Sequence, residues 1–224
     1  MIKKIPDFHR ATIMATELLC RQNLSERILD VKNLRYDKNI VFDTIQNYCV
    51  LTGIPITALI EDKYSILNDG CCLYDKQTDT YIILYNAFDS SFEHQNWTLA
   101  HEVGHIYLGH KSDGPIEEVE AHYFASQLFM PEFTLFMMKK EYGMFNAHDL
   151  TEIFGVSYAA AKKRIKNFEK RTLFNGSRKD VSIWEQQVEK IDLYYKCKKF
   201  GEDFRGSLEM KNWFDEEMRS LLYH

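Results

Sequence analysis

The chain has 224 residues, 45% of them apolar and 27% charged, enough to bury a substantial core in one or two domains. A net charge of −5 argues against an overall nucleic-acid footprint, and no apolar run approaches membrane-spanning length. Cys20, Cys49, Cys71, Cys72 and Cys197 are an odd set without C-x-x-C spacing, which argues against a disulfide scaffold or a zinc knuckle; with no leader pattern at the start, a cytoplasmic location is expected.

Residues 7–20 read as a helix carrying Ile13, Leu18 and Leu19. Residues 37–52 place Val41, Ile45, Tyr48, Cys49 and Thr52 at helical spacing, with Gly53 as the stop. Ile54-Pro55-Ile56 opens an extended piece, suited to a sheet edge because Pro55 cannot donate to a ladder. Residues 71–74 and 80–85 read as two strands joined by a polar turn over 75–79. The apolar run over 81–85 predicts burial on both faces or a cleft rim. A free strand edge of such a sheet can hold an extended peptide by backbone pairing.

Next comes His101-Glu102-Val103-Gly104-His105, an H-E-x-x-H pattern. A random chain of this size and histidine content contains it about 0.02 times, so the match calls for a physical reading. Two histidines four apart lie on one helical face and can hold one Zn²⁺, and the glutamate between them can take a proton from water at the metal. The flanks are helical: Ser90 with Glu93 makes a capping-box start, Leu99, Val103 and Ile106 form a core stripe, and Gly109 offers a stop. These signals predict a helix over residues 91–108.

Catalytic zinc usually takes three protein ligands and leaves a position open. His110 is a poor third candidate, because Leu108 and Lys111 break the extended H-E-x-x-H-x-x-G-x-x-H pattern. Residues 116–130 read as a following helix stopped by Pro131, with Ile116, Val119, Tyr123 and Phe124 as its apolar neighbours. The Asp-Gly-Pro turn before it predicts close helix packing, and Glu117, Glu118 or Glu120 can then complete a two-His, one-Glu site. Residues 132–142, rich in Met and Phe, predict a packed face covering the metal lobe.

Residues 148–154, the turn Gly155-Val156-Ser157 and a helix from Ser157 to about residue 170 fit a helix-turn-helix, with Leu150, Phe154, Val156, Ala160 and Ile165 inside. Residues 162–179 hold eight Lys/Arg and one acid, a local basic stripe suited to phosphates or to an acidic protein partner. The tail from residue 180 reads as amphipathic helices divided near Gly201.

Two stretches resemble the ImmA/IrrE family of metallopeptidases. Trp97-Thr98-Leu99-Ala100-His101-Glu102-Val103-Gly104-His105 is similar to its active-site helix, and Glu120-Ala121-His122-Tyr123-Phe124-Ala125 running on to Met130-Pro131 is similar to its second motif. The resemblance implies His101, His105 and Glu120 as zinc ligands and Glu102 as general base. It also implies a substrate, a helix-turn-helix transcriptional repressor cleaved to relieve repression in a stress response or a mobile element. The family often has Asn or Asp where this chain has His122, and Leu where it has Phe129. The expected fold is α+β and mostly helical: a zincin-like lobe with a small sheet over residues 1–145, a helix-turn-helix-like segment over 146–174, and a helical extension over 175–224. The rival expectation is a DNA-binding or repressor-binding regulator whose peptidase lobe is a sensor or scaffold.

Overall fold

The computed structural model describes residues 5–24, 28–55, 70–87, 91–112, 114–170 and 176–222, with side chains as far as 218. Among them are nine α-helices and one three-stranded sheet, an α+β and mostly helical fold as expected. The chain forms two compact units, Met1–Leu18 with Asp30–Leu128, and Leu19–Leu29 with Phe129–His224. No described helix is long and apolar enough to cross a membrane.

The first unit takes in α1 (Phe8–Leu19), β1 (Asn39–Thr44), α2 (Ile45–Thr52), β2 (Gly70–Asp75), β3 (Thr80–Tyr85), α3 (Phe92–Leu108) and α4 (Pro115–Phe129). The helix expected over residues 37–52 is corrected: its first half is β1, and only Ile45–Thr52 is helical. Ile40 and Phe42 turn inward while Val41 is half exposed, a period-two pattern hidden among residues that also fit helical spacing. Pairing decides the matter, since β1 runs parallel to β3 with Ile40 opposite Tyr81 and Phe42 opposite Ile83. Thr44 then caps α2 by accepting the Asn47 N–H, and Gly53 ends it. Ile54 and Pro55 lie outside any strand, and Ile56 falls outside the described residues.

The hairpin expected from residues 71–85 is present, β2 pairing antiparallel with β3. The sheet order β1-β3-β2 makes β3 central, which is why Ile83 and Leu84 are fully buried and residues 81–85 form an apolar run. Gly70 brings β2 close to α3, because a Cβ there would stand 2.9 Å from Thr98 Cγ2. Asn96 on α3 is buried and accepts the Val31 N–H at 2.8 Å, pinning the helix to the short 3-10 turn Val31–Asn33.

Ser91 caps α3 by accepting the His94 N–H; Ser90, the expected cap, lies outside the described residues. Leu99, Val103 and Ile106 are buried as their spacing predicts. Burying such side chains contributes about 1.5–3 kcal/mol each, which outweighs the few tenths from surface charge pairs and sets the rotation of the helix.

The second unit contains α5 (Glu132–Tyr142), α6 (Ala147–Phe154), α7 (Tyr158–Phe168), α8 (Arg178–Phe200) and α9 (Phe204–Leu222). The division after Leu128 differs from the expected boundary at residue 145: α5 packs on α8 and belongs with the helices that follow it. Its Thr134 donates to Gln187 on α8 at 2.9 Å, both side chains buried.

α6, the turn at 155–157 and α7 fall where the sequence places a helix-turn-helix. Leu150, Phe154 and Val156 are buried, while Ala160 and Ile165 are half-buried and Ala161 takes the innermost position. Arg164 is also inside, donating through Nε and Nη2 to the Met130 carbonyl at 2.9 and 2.6 Å.

Candidate metal centre

α3 and α4 meet at a point where one has no side chain and the other has a methyl group. A Cβ on Gly104 would stand 3.1 Å from the Phe124 ring and 3.2 Å from the Ala121 Cα. Glycine between the two histidines therefore lets the helices approach closely enough for an α4 side chain to reach both imidazoles.

That side chain is Glu118. His101 Nε2 lies 3.1 Å from His105 Nε2, Glu118 Oε2 lies 3.3 Å from His101 Nε2, and Glu118 Oε1 lies 3.3 Å from His105 Nε2. A tetrahedral cation with bonds near 2.0–2.1 Å requires donor atoms about 3.3 Å apart, so the three edges fit one divalent ion. His105 is buried, His101 half-buried and Glu118 partly open on the third side. The hydrogen bond from His101 holds the Glu118 carboxyl below its ordinary range against partial burial, and the charges of His101, His105 and His122 add to the lowering.

Glu120, the residue that the sequence resemblance singled out as third ligand, is placed elsewhere. Its Oε2 lies 3.0 Å from His110 Nε2, and its Oε1 accepts the Asp7 N–H at 2.6 Å. The difference is one of helix phase. Residues two apart on a helix point about 200° away from each other, so Glu118 and Glu120 flank the apolar face of α4 on opposite sides. Glu118 is on the flank toward the imidazole Nε2 atoms, and the sequence supplies acids on both flanks without saying which one α3 meets. Among the described residues, His101, His105 and Glu118 are the group able to hold a metal ion.

Two further histidines gather at this centre. His110 Nδ1 lies 3.1 Å from His105 Nδ1, on the side of that ring away from Glu118. His122 is one turn after Glu118, and its exposed ring packs against His101 with centroids 4.3 Å apart. His122 is two residues from Glu120, on a different helical face, and four from Glu118, on the same one. Glu102 follows His101 on α3 and is half-buried.

Two imidazoles and a carboxylate converging from adjacent helices, beside an H-E-x-x-H glutamate, define a metallopeptidase-type centre. Residues 67–166 match the family model of the IrrE N-terminal-like domain, which spans a little under half of the chain. That stretch is similar to the IrrE N-terminal-like domain, a metallopeptidase-type domain. No curated protein matches the chain.

Proposed function

We propose that the protein is a zinc-dependent endopeptidase that cleaves a helix-turn-helix transcriptional repressor. The observation that carries the reading is the convergence of His101 Nε2, His105 Nε2 and a Glu118 carboxylate within 3.3 Å of one another. Nitrogen and carboxylate donors in a three-residue set suit Zn²⁺ with one position left for chemistry. When bound, such a cation supplies Lewis acidity, acidifying water and polarising a carbonyl oxygen.

The chain's own groups do the rest. The Glu102 carboxylate accepts a proton from the attacking water and passes it to the leaving amide nitrogen, the transfer its place between the two histidines suits. His122 offers a ring N–H on the Glu118 face, where negative charge develops on the carbonyl oxygen during attack. The repressor substrate rests on the family likeness together with the basic α7, whose exposed Lys162, Lys163 and Lys166 suit an acidic protein partner.

Incubation with purified helix-turn-helix repressors as candidate substrates tests this reading. Chelator-sensitive cleavage by the wild type, and none by Glu102→Gln, is the expected result. Cleavage unchanged by chelator, or by Glu102→Gln, contradicts it.

A second reading has its own observation. α6 and α7 with the three-residue turn match a helix-turn-helix, and α7 presents three exposed lysines. A DNA-binding regulator would show salt-dependent, sequence-specific gel shifts without proteolysis.

A further inference from the structure

We infer that His110 and Glu120 are positioning residues that fix the proton of His105 and aim its Nε2 at the metal, an assignment that rests on the metal-centre reading above. The rings and carboxylate stand in line. His105 Nδ1 to His110 Nδ1 is 3.1 Å, and His110 Nε2 to Glu120 Oε2 is 3.0 Å. The His110 side chain is 6% exposed and that of Glu120 11%, so this order is not a chance arrangement at the surface.

The backbone is built for it. Gly109 sits at φ 63°, its N–H bonds to the Ile106 carbonyl, and the His110 N–H bonds to the His105 carbonyl at 3.0 Å. This is a Schellman ending, and it folds His110 back over the ring of the residue five positions earlier. The far end is anchored as well: Glu120 Oε1 accepts the Asp7 N–H at 2.6 Å, just before α1 begins. Arg10 of α1 donates to the Leu108 carbonyl at 2.7 Å, tying α1 to the same end of α3.

Chemistry then sets the direction of every hydrogen bond. A carboxylate oxygen of Glu120 accepts from His110 Nε2–H at 3.0 Å. Its Nδ1 is left with a lone pair, which accepts from His105 Nδ1–H. Nε2 of His105 is therefore bare on the side where Glu118 and His101 Nε2 stand. His101 lacks such support: its Nδ1 is buried with no protein partner among the described residues. The two metal histidines are thus held differently, one by packing and one by a carboxylate–imidazole chain of the kind that orients metal ligands.

The test uses the full chain, zinc chloride as the probe, a competing chelator to read affinity, and long-range nitrogen–proton NMR to read each histidine. Zinc affinity is expected to fall about 10–100-fold in Glu120→Ala and in His110→Phe, and further in Glu118→Ala. His110→Gln, able to accept from His105 and donate to Glu120, is expected to recover part of the loss. In the zinc-loaded wild type, His110 should carry its proton on Nε2 with Nδ1 bare. Tight wild-type binding with unchanged affinity in Glu120→Ala and His110→Phe overturns the relay alone, as does a His110 protonated on Nδ1. Absence of zinc binding by the wild type overturns the metal centre and the relay with it.

Discussion

His122 shares a helical face with Glu118, packs its ring on His101 and remains exposed. A donor at such a place stabilises charge that appears only in the transition state, and losing one typically costs about 10²-fold or more in kcat. His122→Ala should lower kcat by roughly that factor, with KM and bound zinc little changed. Steady-state kinetics on a cleavable repressor peptide checks this, and a variant losing zinc in proportion to activity would make His122 a structural support instead. At this scale the candidate site was partly legible in the sequence. The spacing of His101, Glu102 and His105 fixes their helical face, because 3.6 residues per turn allows no other outcome. The choice between Glu118 and Glu120 was not legible, because it depends on which flank of α4 meets α3.

At the scale of elements, Gly104 governs how closely α3 and α4 approach. Gly104→Ala gains about 0.5–1 kcal/mol of helix propensity but overpacks against Phe124 and Ala121 at a cost of about 1–3 kcal/mol. The cost should win, lowering the melting temperature and weakening zinc as Glu118 is pushed from the imidazoles. A melting temperature and zinc affinity equal to wild type would show that the helices can part without penalty. On α8, Lys190 is buried, with its Nζ 5.7 Å from the centre of the Phe154 ring, and burial pulls its pKa from 10.5 to about 8. Below about pH 8 both folded and unfolded chains carry this charge, and the fold bears its desolvation. Between pH 8 and 10.5 the unfolded chain binds the extra proton, so the stability contributed by this residue rises with pH. Lys190→Met should therefore stabilise the protein by about 1–3 kcal/mol at pH 7, an advantage that shrinks towards pH 10.5. Denaturant midpoints of the two proteins across that range measure it; a pH-independent difference would mean that the amine is not desolvated. Elements defined by local signals were readable from the sequence: α3 from its apolar stripe and Gly109, α7 from the Ser157 cap, and the break at Gly201. β1 was not, since its strand character comes from pairing with β3 some forty residues on.

The whole molecule comprises two units. The metal centre lies within the first, on α3 and α4, while the helix-turn-helix-like pair lies within the second. The family match covers residues 67–166, so it spans both, from the sheet to α7. Basic residues exposed on α7 stand against a net charge of −5 for the chain, an asymmetry suited to steering an acidic partner. Arg164 takes no part in that surface, its side chain being buried against the Met130 carbonyl. Everything proposed for catalysis depends on which carboxylate completes the cation site. The most direct measurement is zinc content by elemental analysis of wild type, Glu118→Ala and Glu120→Ala after dialysis against trace zinc. About one zinc per chain in the wild type, almost none in Glu118→Ala and a reduced but saturable site in Glu120→Ala is the predicted outcome. Full zinc in Glu118→Ala, with loss confined to Glu120→Ala, would contradict it.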